Sequence, residues 1–120
     1  MEIKEEKKPF DLRGESKAYA IESIKLYQHL TEYAPKKEYN LSKQYLIAST
    51  RIGDLIRQDN TLEACYAAKS AKYWLELLYN GGYIDDEQAN AMLNYVDPLV
   101  RILYVKSHPE ARKNKEGGAL

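Results

Sequence analysis

The sequence predicts an all-α protein that folds as an antiparallel up-down-up-down four-helix bundle. Four stretches carry apolar residues at helical spacing, and each is long enough for a helix and too long for a strand. Gly and Pro are sparse and cluster outside these stretches, where they end or separate helices. The connections between the stretches are short, which places successive helices antiparallel to one another.

The first helix is predicted at 15–34, and the second runs from a start between Glu38 and Ser42 to about Gln58. In both, most of the apolar side chains fall on one side of a helical projection. Pro35 ends the first helix, because its ring and its missing N–H exclude a continued helix. Ser42 is a candidate N-cap for the second helix.

The third helix is predicted from Leu62 to Tyr79, because Asn60 and Glu63 have the spacing of a capping box at its start. Its apolar residues cover two faces rather than one stripe. A helix that is apolar on most of its circumference must be covered from two sides. In a domain this small, we expect the second cover to be another subunit.

The fourth helix is predicted from Asp86 to Lys106, after a glycine pair that ends the third helix and a second capping box formed by Asp85 and Gln88. Pro98 lies inside this helix. An internal proline removes one backbone hydrogen bond and costs about 3 kcal/mol unless packing compensates. We therefore expect either a kink or a break at that position.

The composition indicates one small domain without disulfides. The chain has 120 residues, a formal net charge of +0 and one Cys, which has no internal partner for a disulfide. No apolar run approaches the roughly 18 residues of a membrane span. We expect a cytoplasmic protein with no membrane contact, with the bundle at 15–106 between flexible arms at 1–14 and 107–120.

No residue pattern indicates catalysis, a cofactor or a metal site. His29 and His108 are not placed near Cys65, whose predicted role is packing. The acidic run 85–87 is explained by its position at a helix N-terminus. Phosphate-binding and dinucleotide-binding motifs are absent from the sequence. We therefore expect a protein that is not an enzyme, with no catalytic residue, cofactor, metal or small-molecule substrate.

The tyrosines and the leftover apolar residues indicate self-association. Of the aromatic residues, 11 are Tyr, while Phe and Trp occur once each. We assign seven tyrosines to core stripes: Tyr19, Tyr27, Tyr33, Tyr45, Tyr66, Tyr73 and Tyr104. Apolar residues outside the stripes, on adjacent helices, favour a homo-oligomer. The predicted interface anchors are Ile47, Trp74, Leu75, Leu78, Tyr79, Tyr95 and Ile102.

Two segments resemble a known family. The run from Leu30 to Ile52 resembles the "LTxxFPxxExxxLxxQxxxAxxSI" pattern, and 67–84 is similar to the "A–E–YWLxLL–GYI" signature, with Ile47 where the pattern has arginine. Both patterns are typical of the four-helix-bundle family named after intervening sequences in 23S ribosomal RNA, which this chain therefore resembles. The resemblance implies a ring-like homopentamer. It also implies kinship with the accessory variability protein of diversity-generating retroelements, which binds nucleic acid and a reverse transcriptase.

Two functional hypotheses remain open. The first is a non-enzymatic, self-assembling scaffold or adaptor. The alternative is a nucleic-acid-binding accessory protein for RNA or DNA, in which interleaved tyrosines stack on bases. The neutral chain and the acidic fourth helix weigh against the alternative, because proteins that bind phosphate groups of nucleic acids typically carry an excess of basic residues. Its candidate residues are Lys36, Lys37, Lys43, Arg51 and Arg57.

Overall fold

A computed structural model describes residues 9–110 of the chain. Within them lie four α-helices and no strand, and each helix packs against the next while the first also packs against the last. The predicted four-helix bundle is confirmed. The elements are α1 at Leu12–Gln28, a π-helical turn at His29–Tyr33, α2 at Asn40–Arg57, α3 at Thr61–Asn80 and α4 at Asp86–Ser107.

The first helix begins one turn earlier than predicted, because Leu12 packs against the core. Its last turn is wider than an α-helical turn, since the amide of Ala34 donates to the carbonyl of His29 at 2.7 Å. Pro35 follows this turn, where the helix was expected to end. The predicted arms at 1–14 and 107–120 fall largely on residues 1–8 and 111–120, which lie outside the described part of the chain.

The second helix is capped by Glu38, which was not predicted as its N-terminal cap. The carboxylate of Glu38 accepts hydrogen bonds from the backbone N–H groups of Asn40, Leu41 and Ser42 at 2.7–3.0 Å. One carboxylate thus satisfies three amides of the first turn and places negative charge at the positive end of the helix dipole. The expectation that Ser42 is the N-cap is wrong, because its buried hydroxyl donates to the carbonyl of Glu38.

Small residues allow α1 and α2 to approach closely. Buried serines recur at heptad spacing in both helices, and Gly53 also faces this contact. A methyl group on Gly53 would lie 3.1 Å from Ser16 Oγ, which is closer than ordinary packing permits. Arg57 then ties the end of α2 to α1, donating to the carbonyls of Gly53 at 2.9 Å and Arg13 at 3.2 Å.

The capping box predicted at the start of α4 is formed, whereas at the start of α3 only half of the predicted box forms, because the N–H of Asn60 donates to the carbonyl of Leu55. Asn60 Oδ1 accepts the N–H of Glu63, and Gly82 after α3 has a φ of 83°, a conformation that glycine adopts without strain. Asp85 and Gln88 form the reciprocal capping box at 2.8 and 2.9 Å. The fourth helix is not broken at Pro98, since it continues as one α-helix to Ser107.

The core contains a chain of buried hydroxyl groups. Tyr45 Oη donates to Tyr19 Oη at 2.9 Å, and Ser23 Oγ lies 3.0 Å from Tyr45 Oη. The ring of Tyr19 also stacks on Tyr95, with ring centroids 6.0 Å apart. Burial raises the pKa of Tyr45 to about 12, and burial followed by the neighbouring Tyr45 raises the pKa of Tyr19. Both tyrosines therefore act as neutral core residues, as predicted.

Candidate assembly surface and basic patch

Part of the exposed apolar surface lies on the outer sides of α2 and α3. Ile47 is 45% exposed, Tyr66 is 49% exposed and Tyr73 is 54% exposed, and Leu62 lies one turn before Tyr66. A groove of about 200 Å³ runs between the two helices. Ile47, Tyr66 and Trp74 contribute apolar side chains to it, and Arg51 and Glu63 contribute charged groups. We call this surface the α2/α3 groove.

Two of the predicted interface anchors belong to the interior of the monomer. Leu75 is 1% exposed and Leu78 is 0% exposed, so neither offers a surface to a second subunit. Their predicted place in an interface is therefore wrong. The reason is that the inner face of α3 also carries four buried alanines, which bring the neighbouring helices close and enclose the larger leucines: Ala64, Ala67, Ala68 and Ala71.

The solvent-exposed face of α3 was predicted to lie in the core, because its apolar residues recur at helical spacing. Tyr66 and Tyr73 are about half exposed, and Tyr33 and Tyr104 are also exposed, so their placement in the core was wrong. One signal in the sequence distinguishes the faces. Lys69 shares the outer face with the tyrosines, whereas the inner face has alanine at the corresponding positions.

The remaining anchors are distributed over other parts of the surface. Ile47 and Trp74 line the α2/α3 groove. Tyr95 is half-buried by its stacking on Tyr19, and Ile102 is half-buried beside the exposed Val105. The structure therefore brings Ile47 and Trp74 together in this groove, and it places Leu75 and Tyr79 together in a second groove between α3 and α4.

A second groove separates the C-terminal half of α3 from the N-terminal half of α4. It holds about 290 Å³, and Tyr79 and Asp86 stand at its edge. Tyr79 Oη donates to Asp86 Oδ1 at 2.5 Å, and this hydrogen bond, with the charge of Asp86, raises the pKa of Tyr79. The other lining residues are Leu75, Glu76, Ala89, Asn90 and Leu93. We call this surface the α3/α4 groove.

The five predicted nucleic-acid-binding residues do not form one free basic surface. Arg57 is engaged with backbone carbonyls of α1 and α2, and Lys37 Nζ donates to the carbonyl of Ala34 at 3.3 Å. Lys36 Nζ lies 4.4 Å from the ring centroid of Tyr83. Lys43 and Arg51 are exposed on α2 and form no ion pair with another described residue. These two are therefore the cations most available to a partner.

The remaining reactive side chains have structural environments. Cys65 is a free, fully buried thiol, which confirms its predicted packing role. The ring of His108 stacks on Tyr104 with centroids 4.1 Å apart, while His29 is half-buried at the opposite end of the bundle. Among residues 9–110, no group of three or more His, Cys, Asp or Glu is arranged to hold a metal ion.

The fold has a counterpart among solved structures. A crystal structure from Bacteroides thetaiotaomicron, described as a protein with unknown function from the S23 ribosomal protein family, superposes with a TM-score of 0.73. The chain is similar to that S23-family protein. The two share 29% sequence identity over 78% of this chain and 94% of the other, so the likeness extends through nearly all of that protein.

This similarity is compatible with the family that the sequence motifs resemble. It does not extend to the accessory variability protein, and kinship with that protein stays a prediction. No family model matches the chain, and no curated protein matches it. Within residues 9–110, none of the helices is both long and apolar enough to cross a membrane.

Proposed function

We propose that the chain is a non-enzymatic, self-assembling bundle protein whose homo-oligomer serves as a scaffold or adaptor for another macromolecule. The α2/α3 groove supports this proposal, because Ile47 and Tyr66 are exposed there beside the half-buried Trp74. Single exposed apolar residues are common on monomers, whereas a contiguous patch is typical of an interaction site. Tyr and Trp are also the side chains that interfaces favour.

A homopentamer is the assembly that we propose, following the family resemblance. Static light scattering during gel filtration at micromolar concentration tests it directly. The expected mass is about five times the 13.9 kDa of one chain. A mass of one chain at every concentration would contradict self-assembly, and a different multiple would contradict only the pentamer.

A matched pair of variants shows whether the α2/α3 groove carries the assembly. Ile47→Asp places a charge in the groove, and Ile24→Asp places the same charge on α1 at a similar exposure. We expect Ile47→Asp to dissociate the oligomer, because a buried unpaired charge opposes association. The control should retain its mass, and an equal effect of both variants would exclude the groove as the assembly surface.

A nucleic-acid-binding accessory role, with a reverse transcriptase as a further partner, is the second candidate. The observation that favours it is an aromatic and basic segment at one end of the bundle. Tyr33, which is 72% exposed, and Tyr39, which is also exposed, flank Lys36 and Lys37, and Lys43 follows one turn into α2. Basic groups beside exposed rings suit a single strand, whose bases stack on aromatic side chains.

Fluorescence anisotropy with single-stranded RNA and DNA tests this candidate. We expect affinity that falls steeply with salt, because bound lysines release counterions from the phosphates. The double variant Lys36→Glu and Lys43→Glu should lose binding, whereas Lys17→Glu on α1 should not. The absence of binding at low salt would reject the candidate. A reverse transcriptase encoded beside this chain would support the accessory role.

A further inference from the structure

The α3/α4 groove has an apolar floor and an acidic rim. Leu75, Ala89 and Leu93 form the floor, and Glu76 and Asp86 place carboxylates at the rim. Its volume of about 290 Å³ is enough for one long side chain, though small for a whole drug-sized ligand. A slot of this kind fits a side chain that is apolar along its stem and cationic at its end.

The rim carboxylates are available to an incoming cation. Neither Glu76 nor Asp86 forms an ion pair with another residue of the described part. The hydrogen bond from Tyr79 Oη to Asp86 Oδ1 joins the two helices across the rim and holds that carboxylate in place. The groove is thus preorganised, so less conformational entropy is lost when it is filled.

A matching cation lies on the neighbouring side of the same bundle. Lys43, Ile47 and Arg51 follow one another at intervals of four residues, so they form one line along α2. Arg51 stands in the α2/α3 groove beside Ile47 and Tyr66 and has no ion-pair partner among the described residues. An exposed arginine therefore stands beside exposed apolar side chains in the surface that self-assembly would cover.

We propose that the α3/α4 groove of one copy binds Arg51 of a second copy, as the specific contact of the self-assembly proposed above. The guanidinium pairs with Glu76 and Asp86, and its stem lies over Leu93, which is only partly buried in the bundle. Arginine suits this position because its planar group pairs with carboxylates and is weakly hydrated. The same contact covers Ile47 and Tyr66 with apolar surface of the second copy.

The contact joins two different surfaces, which lie on adjacent sides of the bundle because both grooves include α3. Such a heterologous contact gives a closed ring where the rotation between copies closes, and an open filament where it does not.

Charge reversal and charge exchange test the contact. We expect Arg51→Glu and Glu76→Lys each to raise the concentration needed for assembly by about tenfold or more, because each leaves like charges facing each other. The chain carrying both changes should recover assembly in part, since the exchanged pair attracts again while Asp86 keeps its negative charge. Light scattering over a dilution series gives the mass of each variant.

Two further variants control for net charge. Lys17→Glu on α1 and Glu87→Lys on α4 change the charge equally at exposed positions outside both grooves, and they should retain the wild-type mass. Circular dichroism confirms that each variant is folded. If a reversal variant does not fold, Arg51→Gln and Glu76→Gln provide the same test with a smaller expected shift.

The outcomes separate the two proposals. If the wild-type chain assembles and the Arg51 and Glu76 variants assemble equally well, this contact is wrong while self-assembly stands. If the single variants lose assembly and the exchanged variant does not recover any of it, Arg51 does not pair with Glu76 and the proposed contact is wrong. A wild-type chain that stays single at all concentrations overturns both proposals.

Discussion

The two faces of α3 are both apolar, but they differ in the size of their side chains. The inner face consists of alanines with Leu75 and Leu78, and it is buried in the bundle. The outer face carries Tyr66 and Tyr73, which are about half exposed. Small residues let α2 and α4 approach, whereas a tyrosine holds a neighbour away and keeps its hydroxyl in water. Buried alanines therefore mark the core face, and tyrosines interleaved with Lys69 mark the exposed face.

Truncation of a leucine on the inner face should have the largest effect on stability. Leu78 is fully buried, so Leu78→Ala removes apolar contacts and leaves a cavity. We expect a loss of about 2–5 kcal/mol in the free energy of unfolding, measured by urea denaturation. A loss below about 1 kcal/mol would show that the alanine-rich face does not form the core.

Removal of one hydroxyl from the buried chain of hydroxyl groups should have the next largest effect on stability. Tyr45→Phe keeps the ring but leaves the hydroxyls of Ser23 and Tyr19 without their partner. We expect a loss of about 1–3 kcal/mol, because buried polar groups would be unsatisfied. Tyr66→Phe removes an exposed hydroxyl, and it should change stability by less than about 0.5 kcal/mol. Equal effects of the two substitutions would contradict the difference between the faces.

Alkaline pH should weaken the fold through the same buried tyrosines. The pKa of Tyr45 is about 12 in the folded chain and 10.0 in the unfolded chain, and the pKa of Tyr19 is also raised. Between these pH values the unfolded state loses a proton that the folded state keeps, so the free energy of unfolding falls as pH rises. Below pH 10 this contribution to stability is fully present.

Urea denaturation at a series of pH values, with tyrosinate absorbance followed in parallel, measures this effect. The buried pair, Tyr19 and Tyr45, should ionise only near the unfolding transition. Tyr45→Phe should flatten the dependence of stability on pH. Ionisation of Tyr19 and Tyr45 without unfolding would show that the buried pair is accessible.

Local signals in the sequence predicted the fold well. The Asp85 capping box, the glycine turn after α3 and the end of α1 before Pro35 depend on a few neighbouring residues, and all are found in the structure. The cap of α2 was missed because Glu38 binds amides two to four residues ahead, a pattern outside the Ser, Thr, Asp and Asn preference.

The candidate site was harder to predict, because it depends on how the helices pack around one another. Periodicity identified α3 as apolar on two faces but could not decide which face the neighbouring helices cover. Leu75 and Leu78 were therefore assigned to an interface and Tyr66 and Tyr73 to the core. The long-range contact of Arg57 with Arg13 likewise follows from helix packing, and it removes Arg57 from the basic patch.

A substitution on the outer face of α3 should have the smallest effect on the stability of the fold and a clear effect on association between chains. Tyr66→Ser removes a ring that lines the α2/α3 groove but contributes little to the core. We expect the free energy of unfolding to change by less than about 0.5 kcal/mol when the chains are dilute enough to be separate. At assembling concentrations the variant should dissociate more readily, because an aromatic side chain near the centre of an interface often contributes about 2 kcal/mol or more. A variant that destabilises the separate chain and leaves association unchanged would place Tyr66 with the core. Stability unchanged and association weakened would show that one helix uses one face to fold and the other to assemble.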